Sequence, residues 1–458
     1  MTGVVGSGSG APASPTRSRK RVIVAGAGIA GLSCAYELMK RGHEVIVLEA
    51  SGRTGGHVRT VHDPLADGLY ADTGAEHFYK PIYREYWHYL EEFKLPVVPY
   101  PRRNNMLRFI DGNRYTPEDL QIRRVLNGLG FNQRETDYLA QNPWWNLPLL
   151  YLQPYIGHFE NERKPFGLGL DHLDQMSVTE LLKSDGASAA AIRFAGGAGS
   201  ALDTIWMAAI KKLRGAPLLS QELFRIEGGN QRMTDAFAKR LGERIHLGAS
   251  LISIRHGTSG VTVGYTEFGD NKQMEADYLV CCISTVMLRS IPVTPAWPEA
   301  KGYVLRHLPF YTEMRVVFQS RTAFWEKDGI SPNIEFDTPE LRACWRMADE
   351  VNTSRAVLIG TAAASSSAEQ ALATFRRQYP GKSEDVEQVI TFNWATDPWA
   401  MFCERVTCVP GDLARLWPQA AEPCGRVHFA GAYAANINMG QEAAMESAIT
   451  AAEAIDNA

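Results

Sequence analysis

Hydrophobic and polar positions first fall into order at Arg21. RVIVA is an unbroken apolar run, a glycine-rich turn follows, and Leu32, Ala35, Leu38 and Met39 then recur at helical spacing on one face. A second apolar run, EVIVLE, ends at Glu49, so the pattern predicts strand, helix and strand, one βαβ unit. The loops GRTGGHVRT (52–60) and YADTGAEHFY (70–79) follow, with enough glycine to let a backbone approach a ligand closely.

From 81 to 219 the pattern turns helical, rich in aromatics and interrupted by prolines, as in NPWWNLPLLYLQPYIGHF, and a capping box at Ser177 and Glu180 opens one of its helices. Trp144 to Phe159 reads either as a pocket wall or as an apolar helical stripe of the core. RIEGGNQRMTDAFAKRLGERIHLGASLISIRH then gives turn, helix and strand, and GVTVGYT and ADYLVCCIS give further strands that return the chain to its first domain. TEMRVVFQS and VEQVITFNW, separated by polar turns, predict a mixed sheet between Leu308 and Trp399. The last segment reads as a strand, a loop and a long alanine-rich helix.

These patterns divide the chain into a disordered tail (1–20), a nucleotide-binding domain assembled from 21–80, 220–305 and 420–458, and a substrate-binding domain from 81–219 and 306–419. The predicted class is α/β. Gly26-Ala27-Gly28-Ile29-Ala30-Gly31 matches G-x-G-x-x-G directly after a strand and before a helix, the context a dinucleotide site requires. Gly26 permits the tight turn, Gly28 lets a pyrophosphate near the backbone, and Gly31 lets the helix pack on the sheet, while the helix N-terminus offers N–H groups to phosphate. Glu49 ends the second strand, where a carboxylate accepts hydrogen bonds from an adenosine ribose.

Composition narrows the reading without redirecting it. The 458 residues exceed a single ordinary core. With 45% hydrophobic and 21% charged residues and a formal charge of -4, neither general disorder nor a polyanion-binding surface is indicated, so nucleic acid is not an expected partner. Seven scattered cysteines without a Cys-x-x-Cys spacing fit reduced thiols in a cytoplasm and no metal site. No segment has the ~18 uninterrupted apolar residues of a membrane span. Expected partners are a small-molecule substrate and O2, with a homodimer left open.

GRTGGHVRT resembles the second flavin-contact motif of the flavin amine oxidases, GR-x-GGR-x-x-T, and the likeness continues in order through EGGNQRMTDAFAKRL, ADYLVCCIS, LPFYTEMRVVFQSRTAFW, FNWATDPWAMFCERVTCVPG and VHFAGAYAANINMGQEAAMESA. It spans nearly all of residues 21–457. The resemblance implies FAD as cofactor, a Rossmann-like FAD-binding domain of the glutathione-reductase-like flavoprotein type, and a mixed-sheet plus helical substrate-binding domain. It places cofactor contacts on Gly26, Gly28, Ala30, Gly31, Glu49, Arg53, Gly55, Gly56, His57, Ile252, Gly431 and Gln441, and pocket walls on Trp399, Phe402, Glu404 and Tyr433.

The chain departs from the family pattern at several of these positions. Arg315 stands where many members carry a lysine at the flavin, and His57 replaces the second arginine of the glycine motif. Glu404 and Gln441 occupy the positions of the two flavin-flanking aromatic rings of monoamine oxidases, so that cage is missing; Trp394, Trp399 and Phe402 are other walls or buried packing. Cys403 falls where some relatives bind flavin through a thioether, although most of the family holds FAD by contacts alone. Glu76 lies on the loop that runs close to the flavin ring, where burial raises a carboxylate's pKa toward working pH and suits it to act as a base; a surface glutamate in a turn is the other reading, and His77 and Tyr79 share that ambiguity.

The family's chemistry is loss of hydride from a carbon beside nitrogen, with O2 reoxidising the flavin to give H2O2. A free neutral amine needs no strong base, whereas an amide nitrogen benefits from one. Glu76 with Arg315 as catalytic residues, together with the missing cage, point to an unusual substrate, and the chain is similar in this to the amide-oxidising macrocyclases of lankacidin-type polyketide assembly, in which an acylimine is captured by an internal carbon nucleophile. Two other enzyme readings stand beside it: a conventional amine or L-amino-acid oxidase with Arg315 on the substrate carboxylate, and a flavin-dependent desaturase or isomerase. A non-enzymatic FAD-binding protein is a third class, disfavoured by the number of flavin-facing motifs retained.

Overall fold

Strand β1 (Arg21–Ala25), helix α1 (Ile29–Lys40) and strand β2 (Glu44–Glu49) form the βαβ unit in the computed structural model, which describes residues 18–327, 329–404 and 407–458 and leaves aside the side chains of 383 and 404. The tail expected over 1–20 lies outside the described residues as far as 17. Lys20 is anchored: its backbone N–H donates to His43 Nδ1 at 3.3 Å and its ammonium to the Asp456 carbonyl at 3.3 Å.

β1 and β2 run parallel, with Val22 opposite Val45, inside a five-stranded parallel sheet ordered Val427–Phe429, Tyr278–Cys281, β1, β2, Ile245–Leu247. Both faces are covered, which is why the strands are apolar throughout rather than alternating. Val22 and Val24 pack on the α1 side with Leu32 and Leu38, while Ile23 and Ala25 pack on the opposite side with Leu202, Trp206 and Val263. The C-terminal helix Gly440–Asn457 packs beside α1, and its buried Glu442 accepts from the backbone N–H groups of Glu85 and Tyr86 at 2.8 and 2.9 Å, which satisfies two donors at the start of helix Arg84–Phe93.

A seven-stranded sheet forms the other layer, ordered Val386–Asn393, Met314–Ser320, Ala356–Ala362, Leu341–Met347, Ile334–Thr338, Leu107–Ile110, Asn113–Tyr115. All its pairings are antiparallel except that of Ile334–Thr338 with Leu107–Ile110, so the sheet is mixed. Helices between 123 and 195 lie at its Leu107–Ile110 end, where Ile110 shares an apolar cluster with Leu126, Leu139 and Ala191, while Ala201–Leu213 packs on the parallel sheet; the capping box is present, with Ser177 Oγ accepting from the Glu180 N–H at 3.1 Å and the Glu180 carboxylate accepting from the Ser177 N–H at 2.7 Å.

Ala249–His256, Val261–Glu267 and Asp270–Ala276 do not enter the parallel sheet; with Val293–Thr294 they make a separate four-stranded sheet, and only Tyr278–Cys281 of this stretch returns to β1. Of the two readings of Trp144–Phe159 the structure takes the core, because Trp144, Leu147 and Tyr151 join one apolar cluster and Leu152, Ile156 and Phe159 another. Among the described residues no helix is long and apolar enough to cross a membrane.

Candidate functional site

One cavity of about 1000 Å³ runs from the Gly26 turn to the seven-stranded sheet. Its first half is built mainly from backbone. Gly26 has φ +101° and donates its N–H to the Leu48 carbonyl at 2.7 Å, which turns the chain sharply off β1. A Cβ at Gly31 would lie 1.8 Å from the Gly26 carbonyl oxygen, so the first turn of α1 packs on this loop only because the residue is glycine. Gly28 is the N-cap of α1 and supplies no side-chain cap, leaving the helix's first N–H groups for a ligand. The second glycine loop docks on the first: Gly55 N–H donates to the Ala27 carbonyl at 2.8 Å, and a Cβ on Gly56 would stand 3.2 Å from Gly28 Cα. Arg53 pins this loop by donating to the carbonyls of Gly56 at 2.7 Å and Thr54 at 3.2 Å.

Glu49 lines the cavity and accepts from Ala27 N–H at 2.7 Å and from the Ser51 N–H and hydroxyl at 2.8 and 2.7 Å. Ala30, Ile252, Gly431, Tyr433 and Gln441 also line it; Gly431 N–H donates to Ser447 Oγ at 2.9 Å and the Tyr433 hydroxyl donates to the Cys281 carbonyl at 3.3 Å. His57 sits edge-on to Trp394 at 4.7 Å, and Trp394 is fixed by its indole N–H on the Thr73 carbonyl at 2.8 Å. Gln441 Oε1 is buried without a hydrogen-bond partner at the cavity wall. A glycine cradle, an uncapped helix N-terminus, a carboxylate at the end of β2 and an orphaned amide oxygen together fit a dinucleotide.

The second half is made of charged side chains. Glu76, on the loop after Ala71–Asp72, is 4% exposed and is ion-paired with Arg102. Its other oxygen receives the Trp345 indole N–H at 3.0 Å and the Tyr100 hydroxyl at 3.3 Å, with Arg315 Nη1 at 3.6 Å. Burial alone would raise this carboxyl. The guanidinium charges of Arg102 and Arg315 more than offset burial and hold it well below the usual carboxylate range, which corrects the expectation of a raised pKa. His77 is pushed down to about 4, mainly by burial, and is neutral at physiological pH.

Arg315 comes from strand Met314–Ser320, and the alternation of that strand turns Glu313 to the same side, where it pairs with Arg315 Nη2 at 2.9 Å. Nε and Nη1 of Arg315 are buried without a hydrogen bond. Glu76 and Arg315 therefore share one cavity. Trp399, Phe402 and Cys403 line it as well, Trp399 being 41% exposed, while the Glu404 side chain lies outside the described residues.

Sequence reasoning did not single out Arg102, Tyr100, Trp345, Arg103, Lys211 or Glu313. Glu313 carried a signal, since two positions along a strand from Arg315 means the same face. Arg102 and Arg103 stand together in the turn Pro101–Arg103, but nothing local ties them to Glu76, about a quarter of a hundred residues earlier.

Comparisons with known proteins agree with this layout. Residues 29–456 match the family model described as flavin containing amine oxidoreductase. The chain is 26% identical to an L-amino-acid oxidase of Pseudechis australis, over 96% of this chain and 87% of that protein, and 27% identical to one of Daboia russelii, over 97% and 90%. Cyclohexylamine oxidase from Brevibacterium oxydans IH-35A superposes with a TM-score of 0.80 at 20% identity, covering 96% of this chain and 99% of the other, and wild-type putrescine oxidase bound to putrescine with 0.79 at 20%, covering 96% and 100%.

Proposed function

The chain belongs to the flavin-containing amine oxidoreductase family, and from that premise we propose that its substrate is an N-acylated amine, oxidised at the carbon beside nitrogen to an acylimine. The enzyme is an FAD-dependent oxidoreductase acting on C–N bonds. FAD, when bound, supplies the hydride acceptor, and O2 restores it with release of H2O2. The observation that carries the reading is the ionised Glu76 carboxylate facing the cavity beside Arg315.

In an amide the nitrogen lone pair is delocalised into the carbonyl, so hydride loss from the neighbouring carbon is helped when the N–H proton leaves with it. That proton grows strongly acidic as positive charge builds on nitrogen, and a carboxylate of low basicity then suffices to accept it. Arg102, Tyr100 and Trp345 hold Glu76 in one orientation, which saves the cost of arranging it during the reaction. Nε and Nη1 of Arg315, which make no hydrogen bond although Nη1 lies in the ion pair with Glu76, suit the acyl oxygen of such a substrate.

Beyond the nucleotide half the cavity continues past Tyr79, Tyr83, Leu218 and Leu219, which supports a body larger than a simple amine, such as a polyketide amide whose own carbon nucleophile adds to the acylimine in a Mannich-type ring closure. The seven cysteines form no disulfide, which supports a cytoplasmic location, and flavin held by contacts alone would leave the protein on acid precipitation instead of remaining on Cys403.

Anaerobic bleaching of the bound flavin tests the substrate class. N-acyl compounds bleach it on this reading, and simple amines and L-amino acids do not. Bleaching by L-amino acids would favour a second reading, an L-amino-acid oxidase with Arg315 on the substrate carboxylate, for which the names of the sequence relatives speak.

A further inference from the structure

The charges of the reaction half do not balance. Glu76 and Glu313 are matched by Arg102 and Arg315 through the ion pairs described above. Arg103 and Lys211 line the same cavity, and among the described residues neither forms an ion pair with a carboxylate. Of the other acids nearby, Asp397 lies toward Arg53 at the nucleotide half, and Glu335, whose charge reaches Arg103, is ion-paired with Arg108. Two cations are therefore in surplus in a half-buried wall.

Their head groups are fixed rather than loose. Arg103 Nη1 donates to the Ser220 carbonyl at 2.6 Å, and Lys211 Nζ donates to the Leu218 carbonyl at 2.8 Å, two residues away on the same bend. Each head group is thus brought to one short stretch of backbone from a different element, the Pro101–Arg103 turn and the helix Ala201–Leu213. Holding two like charges there without an ion-paired acid is unfavourable in the free protein: burial and the charge of Arg103 lower Lys211 to about 8, and burial with the charge of Arg102 lowers Arg103 to about 10 against the weaker pull of Glu335 and Glu76. A ligand bearing negative charge relieves both.

We propose that Arg103 and Lys211 form an oxyanion subsite that grips the substrate at a second point of the reaction half, away from the Glu76–Arg315 pair itself, its ligand being a carboxylate or the enolate oxygen of a β-dicarbonyl group. The two sources share one chemistry, an anionic oxygen within reach of two fixed cationic donors. The assignment rests on the reading of this cavity as the substrate site, and an enolate held there would itself be the carbon nucleophile that a ring closure needs.

Calorimetric titration of the flavin-loaded enzyme tests the subsite without turnover. Glutarate is compared with glutaramide, and acetylacetone with its dimethylated analogue that cannot enolise. The charged or enolisable member of at least one pair binds wild type better than its neutral counterpart. That preference falls roughly tenfold or more in Lys211→Met and Arg103→Gln, the loss of a charge-assisted hydrogen bond, while Lys211→Arg retains it. Glutarate alone identifies a carboxylate ligand, acetylacetone alone an enolate. Equal binding of charged and neutral members, or a preference that survives both charge-removing variants, overturns the proposal. Because Lys211→Arg keeps the charge, it supplies a folded control where Lys211→Met is lost to misfolding. Flavin bleaching by N-acyl compounds is read separately, so that reading and this one fail by different results.

Discussion

The two halves of the cavity are made of different material. At the nucleotide half, backbone does the work: Gly26, Gly28, Gly31, Gly55 and Gly56 bring two loops into contact, and side chains such as Arg53 serve mainly to pin carbonyls in place. At the reaction half, backbone only delivers charged groups. Glu76, Arg102, Arg315 and Lys211 arrive from a loop, a turn, a strand and a helix; the first three are positioned by their mutual ion pairs and Lys211 by the Leu218 carbonyl. A backbone site tolerates almost no added atom, whereas a charge cluster tolerates bulk but not loss of balance.

Gly31→Ala should produce the largest effect. The new Cβ would meet the Gly26 oxygen at 1.8 Å, and neither backbone segment can retreat without breaking β1 or α1. The expected outcome is protein without flavin, read from the ratio of visible to ultraviolet absorbance, and a stability loss of about 3 kcal/mol or more in urea titration. Full flavin content in this variant would end the claim that the nucleotide half is built on backbone contact. Glu76→Gln comes next. It should keep its flavin, slow anaerobic flavin reduction by an N-acyl substrate by about 10²- to 10⁴-fold, and lower stability by roughly 3 kcal/mol because Arg102 loses its buried counter-charge. Unchanged reduction would remove Glu76 from the mechanism.

The same contrast explains what could be read in the chain. G-x-G-x-x-G works through neighbours in sequence, so strand, turn, helix and Glu49 were legible together, as was the Ser177–Glu180 capping box. Arg315 was legible because it replaces a lysine at a recognisable position. The environment of Glu76 was not: Tyr100, Arg102 and Trp345 meet it only after the chain has crossed between layers, and without them burial alone gave the wrong sign for its pKa. Ala249–His256 and Val261–Glu267 were legible as strands and Asp270–Ala276 was not, and membership of a separate sheet depends on pairing, which periodicity does not encode. Trp144–Phe159 was legible as an apolar helical stripe, but an aromatic stripe looks alike whether it faces a ligand or a core, and only packing shows that here it is core.

Arg315→Lys sharpens the comparison with a smaller change. The charge stays and the planar fork goes, so the ion pairing of Glu76 and Glu313 weakens without vanishing. kcat/KM for N-acyl substrates should fall by about tenfold, with flavin content unchanged, in steady-state oxygen consumption. A rate equal to wild type would mean that only charge matters at this position.

The smallest effect concerns His77, whose imidazole titrates at about 4 in the folded protein against 6.5 ordinarily, chiefly because it is buried. The unfolded chain therefore takes up a proton near pH 6.5 that the folded chain refuses until about 4, so the contribution of His77 is complete above 6.5 and is lost as pH falls through that interval. Glu76 acts lower: its folded pKa lies below the ordinary 4.5, and its contribution is lost only as pH falls beneath that value. Asp72 and Glu442, raised by burial to about 7 and about 8, have the opposite sign, gaining stability as pH falls toward their ordinary carboxyl values. The wild-type curve is thus a sum of opposed terms, and the informative quantity is the difference between wild type and His77→Gln in urea titrations from pH 7 to pH 5. Stability of the variant should depend less steeply on acid, by on the order of 1–2 kcal/mol across the interval. Parallel curves would show that His77 is protonated as readily folded as unfolded, and that the reaction half is wetter than its ion pairs imply.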